Sequence, residues 1–130
     1  MKPEGNTEGK YVTLLNKIFE LPEVRYAAVN DKFGVRIVGG MKPGVKTLTP
    51  PEADKRLEMQ SVMILKMAEN YSEHSGELRY SSIQWAKVCA LFFLISPERA
   101  LCITVFGDLL HDTKLKIERI VSDWKGMNRT

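Results

Sequence analysis

Apolar residues recur along the chain in two rhythms, and each change of rhythm marks a new element. Tyr11, Leu14, Leu15, Ile18 and Phe19 fall at helical spacing, and Leu21-Pro22 ends the pattern, which predicts a short helix over 12–20. Residues 24–30 and 33–38 are β-prone runs meeting at Asn30-Asp31-Lys32-Phe33-Gly34, a turn signal that predicts a hairpin. Three glycines and a proline then crowd positions 39–46, the chemistry of a loop. Thr49-Pro50-Pro51-Glu52 reads as the start of a long helix, with Thr49 as N-cap, Pro50 at the first helical position and Glu52 completing a capping box. That helix is expected to run to Ser75, closed by Gly76. Residues 78–84, 87–95 and 100–106 predict three strands in a meander, turning last at Ser96-Pro97-Glu98-Arg99. Asp112 as N-cap and Ile117, Ile120, Val121 and Trp124 on one face mark a final helix ending near Gly126.

The two rhythms also say which faces need cover. Wound at about 100° per residue, the long helix aligns Ala53, Leu57, Ser61, Ile64, Ala68 and Tyr71, with Met59, Met63 and Met67 as a second stripe beside the first. Together they exceed half the circumference, more than one core contact requires. In the middle strand of the meander, Val88, Ala90, Phe92 and Leu94 oppose Cys89, Leu91, Phe93 and Ile95, so both faces are apolar. The last strand repeats this, with Leu101, Ile103 and Val105 opposite Ala100, Cys102, Thr104 and Phe106. The simplest solution is α/β (α+β): a five-stranded, mainly antiparallel sheet sandwiched between the long helix and the two terminal helices. One domain is expected over 11–126, with a flexible tail at 1–10 and a short one at 127–130.

Composition narrows the function classes. The chain has 130 residues, 44% hydrophobic, enough for one packed core without a disulfide or metal staple. The net charge of +3, from 19 basic and 16 acidic residues, is too mild and too scattered for a dedicated nucleic-acid binder. No apolar run reaches the length of a secretion signal or a bilayer span, so a cytoplasmic protein without membrane insertion is expected. Cys89 and Cys102 are expected reduced and buried, about 13 Å apart along the hairpin.

The element order resembles that of the roadblock/dynein light-chain superfamily over nearly the whole chain. Local support comes from Leu21-Pro22-Glu23-Val24-Arg25-Tyr26-Ala27-Ala28-Val29-Asn30-Asp31-Lys32-Phe33-Gly34, similar to that family's "I-P-G-V" corner, small-residue strand and "D-x-x-G" turn, with Glu23 in place of the corner glycine. Gly39-Gly40-Met41-Lys42-Pro43-Gly44-Val45 is closest to a "G-G-M-x-x-G-V" loop shared by a group of short archaeal proteins. The resemblance implies a profilin-like fold with sheet order 2-1-5-4-3. It also implies a homodimer or heterodimer without enzymatic activity that scaffolds or regulates small GTPases or motor complexes. Met59, Val62, Met63 and Met67 are then expected at a helix-to-helix dimer contact, and Tyr80, Ser82 and Gln84 along a pairing edge.

The remaining chemistry is thin. The segment Gly39-Gly40-Met41-Lys42-Pro43-Gly44-Val45-Lys46 lacks Walker spacing, though Arg36, Lys42 and Lys46 together form a small basic patch suited to a partner or an anion. Trp85, at a hairpin corner, is a candidate partner anchor. His74 and His111 lack companions at metal-ligand spacing, and Asp108, His111 and Asp112 read as capping residues, so no metal or other cofactor is expected. No nucleophile elbow or Ser/His/Asp arrangement is present, and an enzyme is not expected. The alternative to an adaptor is a PAS/profilin-like sensory domain holding a small ligand between sheet and long helix.

Overall fold

The computed structural model describes residues 4–128. In chain order it contains α1 (Glu4–Phe19), β1 (Val24–Asp31), β2 (Arg36–Met41), α2 (Pro51–Glu69), α3 (Ser72–Ser75), β3 (Ser81–Gln84), β4 (Val88–Ser96), β5 (Arg99–Phe106) and α4 (His111–Met127). The strands make one antiparallel sheet in the order β2-β1-β5-β4-β3, as expected. The three strands richest in buried apolar residues, β1, β5 and β4, take the inner places. β2 with Gly39 and Gly40, and β3 with Ser81 and Ser82, form the edges, where a shorter buried set is tolerated.

Each face of the sheet is covered by a different layer. On one, Leu14, Ile18, Ile117 and Val121 of α1 and α4 pack over Ala27, Val29, Leu91, Phe93, Leu101 and Ile103. The Trp124 ring lies 5.7 Å from that of Tyr11, and its Nε1 donates to the Lys10 carbonyl at 3.0 Å, tying the two helices together. On the other face, Val62 and Leu65 of α2 cover Ala28, Ala90, Phe92, Ala100 and Cys102. Each of those two α2 side chains contributes about 1.5–3 kcal/mol by leaving water. This second core is thin, because most of the sheet residues beneath α2 are small.

The β1–β2 turn sets how α2 seats. Asp31 Oδ1 accepts hydrogen bonds from the amides of Phe33 (2.9 Å) and Val35 (3.0 Å), and Gly34 follows at φ +84°. A Cβ at Gly34 would lie 2.4 Å from Met59 Cα, so the turn abuts the backbone of α2. Only glycine supplies both the backbone angle and the clearance.

Several boundaries differ from expectation. The first helix starts at Glu4, not at residue 12, so residues 4–10 of the expected tail are helical; residues 1–3, 129 and 130 lie outside the described part. Its apolar rhythm begins only at Tyr11, but no proline interrupts the backbone ladder before it. The long helix starts at Pro51 with Pro50 as its N-cap, without a side-chain cap; the Thr49 hydroxyl bonds Asp54 instead. Two prolines leave fewer free amides for a capping box to satisfy. The helix breaks at Asn70, and α3 closes on Gly76 at φ +92°. α4 takes Leu110 as N-cap, leaving Asp112 in the first turn beside the positive end of the helix dipole. β3 spans only 81–84, because Leu78 and Tyr80 pack toward opposite faces before pairing begins. Cys102 pairs opposite Phe92 and Cys89 opposite Val105, which puts the thiols three rungs apart and on opposite faces, both reduced and buried. Among the described residues no helix is long and apolar enough to cross a membrane.

Candidate functional site

Two features distinguish the α2 side of the sheet. The first is the outward surface of α2. Met59, Met63 (63% exposed), Ile64 and Met67 run along it without cover, Tyr71 (68% exposed) follows just past its end, and Phe33 and Val35 of the abutting turn are also exposed. Of the stripe expected to hold Ser61, Ile64 and Tyr71 together, only Ser61 of these three is buried; Glu58, Val62 and Leu65 turn inward beside it. Val62, expected at a dimer contact, is 1% exposed beneath the helix. Large apolar side chains left exposed together on one helix face are a usual mark of an interaction surface.

The second feature is a groove of about 440 Å³ between the sheet and the first half of α2. Tyr26, Val88, Cys102 and Thr104 line it from the sheet, and Asp54, Leu57 and Glu58 from the helix. Thr47, Leu48 and Thr49 close one side, with Trp85, Ala86 and Lys87 on the other. The space exists because Cys102 and Thr104 are too short to fill it.

Arg25 enters the groove through a backbone irregularity. Val24 pairs with Val105 and Tyr26 with Thr104, so Arg25 is an extra residue opposite β5, a bulge that turns its side chain to the same face as Tyr26. Arg25 is 6% exposed; its guanidinium donates to Thr104 Oγ1 (3.1 Å) and the Lys46 carbonyl (3.3 Å), and lies 5.7 Å from the Phe106 ring. Burial pulls its pKa down, against the pull of Asp54. Among the described residues no carboxylate lies within ion-pair distance of it.

Glu58 forms the opposite wall at 7% exposure. Tyr26 Oη donates to one carboxylate oxygen at 2.9 Å and Asn30 Nδ2 to the other at 3.0 Å. Desolvation raises the Glu58 pKa, opposed by those two hydrogen bonds and by Arg36. The same burial, with the Glu58 charge, pushes Tyr26 upward, and Cys102 at the groove floor is likewise held protonated. Among the described residues Asn30 Oδ1, which is buried, finds no partner.

The other sequence-predicted residues scatter. Arg36 is exposed with its guanidinium 5.8 Å from the Tyr26 ring. Lys42 donates from Nζ to the Leu21 carbonyl at 2.9 Å, and Lys46 offers the groove its carbonyl, so these three cations do not converge on one anion site. Trp85 is 42% exposed at the groove wall. Ser82 is exposed on edge strand β3, while Tyr80 stacks 5.8 Å from Phe93 on the α4 side. Gln84 is occupied within the chain: Nε2 donates to the carbonyls of Trp85 (2.6 Å), Val88 (3.2 Å) and Gly107 (2.9 Å), and Oε1 accepts from the Leu109 amide (3.2 Å). Its side chain staples the β3–β4 turn to the β5–α4 loop. Sequence reasoning missed Arg25, Tyr26, Asn30 and Glu58. Anchoring the helical wheel on Val62 and Leu65 would have shown Glu58 pointing inward.

The architecture and sheet order are those of the profilin-like α/β fold, which roadblock/LC7 domains also adopt. No protein-family model matches the chain, and no curated protein does. Among solved structures it is similar to the gliding protein MglB from Thermus thermophilus, with a TM-score of 0.70 and 13% identity over 92% of this chain and 88% of that one. It is also similar to MglB with a tetrameric arrangement (TM-score 0.67, 15% identity, 91% and 89% covered). A roadblock/LC7 domain from Streptomyces avermitilis shares the fold at TM-score 0.61 and 8% identity, with 89% and 94% covered. At these identities the likeness is one of fold.

Proposed function

We infer that the chain is a non-enzymatic, homodimeric adaptor or regulatory domain acting on a small GTPase in the cytoplasm. The observation that carries the reading is the uncovered Met59–Met63–Met67 face of α2, continued by Ile64 and Tyr71. A second copy of the same face offers matching apolar surface, and methionines adapt to such contacts. β3 is an open edge of the sheet and leaves backbone groups free to pair. The GTPase partner is the finer part of the proposal and rests on the roadblock/LC7 fold, a fold-level warrant. The loop likeness to short archaeal proteins belongs to the same proposal.

Light scattering on the purified chain should give a dimer mass, and Met63→Glu should give a folded monomer. A wild-type monomer, or a variant dimer of unchanged mass, would count against the reading. Mixing the chain with small GTPases encoded near it should give a complex or altered GTP hydrolysis, and no effect across several would remove that partner. The groove favours a second reading, a sensory module that holds a small molecule between sheet and long helix, because a fold serving only as an adaptor has no need of space beneath α2.

A further inference from the structure

We propose that the groove beneath α2 binds an aliphatic carboxylate, its head against Arg25 and its chain along the apolar wall formed by Leu57 and Met41. The inference rests on the ligand-binding reading and names the ligand class. Three observations set the class. The volume, about 440 Å³, lies within the range of small-molecule sites, roughly 300–1,000 Å³, and the walls are mostly apolar. Such a space selects a molecule that is mostly hydrocarbon.

The sign of the head group follows from which charges already have partners. Both Glu58 oxygens accept hydrogen bonds, from Tyr26 and Asn30, and Asp54 accepts one from Thr49 at Oδ1, which leaves one Asp54 oxygen as the acidic group still open in the groove. Arg25 is the reverse case. It is buried to 6% exposure, its bonds go only to neutral oxygens of Thr104 and Lys46, and those two bonds use part of its five N–H donors. Asp54, on the facing helix, attracts Arg25 across the groove but makes no ion pair with it, whereas a ligand carboxylate could match the guanidinium fork at hydrogen-bond distance. Lys87, also on the groove wall, adds a second positive charge that offsets Asp54. A β-bulge is spent on aiming Arg25 inward, away from solvent.

Calorimetric titration of the full chain with decanoate, decanol and decyltrimethylammonium, each below its micelle concentration, tests the idea. Decanoate should bind at least tenfold more tightly than either of the others, and shift the fluorescence of Trp85. Arg25→Met, checked for fold by circular dichroism, should bring decanoate down to the level of decanol. Ala86→Trp, at an exposed position on the groove wall, should weaken all binding at least tenfold while leaving the buried core untouched, and so tests the site even if the arginine variant does not fold. Binding of decanol without preference for decanoate would overturn the anion assignment while leaving the ligand-binding reading standing. No binding by any of the three would overturn both. Decanoate binding indifferent to both substitutions would show an adventitious surface contact and overturn the proposal.

Discussion

Replacing Gly34 with alanine tests whether the β1–β2 turn seats α2. Two costs are added at that position. The backbone sits at φ +84°, where an L side chain costs about 1–2 kcal/mol. The new Cβ would also lie 2.4 Å from Met59 Cα and 2.9 Å from the Glu58 carbonyl, both backbone atoms that cannot swing aside. Relieving such overpacking costs about 1–3 kcal/mol more. Gly44 supplies the control: it has the same φ of +84° but nothing within 4 Å of a Cβ. Gly44→Ala should therefore lose about 1–2 kcal/mol, and Gly34→Ala about 2–5 kcal/mol. Urea unfolding at equilibrium measures both, with the m-value checked so that the midpoints can be compared. Equal losses in the two variants would refute the claim that the turn bears on α2, whatever their size.

Glu58→Gln should flatten part of the pH dependence of stability. Burial raises the Glu58 pKa, so the folded state holds its proton more tightly than the unfolded state, and stability falls as pH climbs from the ordinary glutamate range through the raised value. Urea midpoints of the variant should gain on wild type as pH rises from about 4 to about 8, and parallel curves would contradict the burial argument. The amide also offers a donor for the unpartnered Asn30 Oδ1 once Asn30 turns over. Gln84→Ala should cost about 1–3 kcal/mol through loosened loops yet leave the oligomer mass unchanged; dissociation in light scattering would return Gln84 to the interface.

The layers were legible in the sequence because β4 and β5 carry strict two-residue alternation with both faces apolar. Ala90 and Phe92 could only fall on one side, Leu91 and Phe93 on the other. The groove was not legible, for two physical reasons. Simple alternation along β1 assigns Arg25 to the side of Ala27 and Val29, and only the bulge, a two-against-one pairing with β5, reverses it. Glu58 was hidden because a charged residue on a helix is ordinarily assigned to solvent, and its burial depends on Tyr26 and Asn30, which arrive from a strand 28 or more positions away. The capping of α2 failed similarly: Thr49 fits a capping box by spacing, but the carboxylate of Asp54 is the acceptor it finds.

The bulge at Arg25 separates two properties that a regular strand would couple. In an unbroken ladder, any shift that brings a new side chain to one face carries its neighbours across to the other, so altering a pocket disturbs the core. Here the odd residue stands outside the alternation, while Val24 and Ala27 remain in the layer packed under α1 and α4. A change of side chain at position 25 therefore alters the groove and its bonds to Thr104 and Lys46 while leaving the alternation of the sheet as it is.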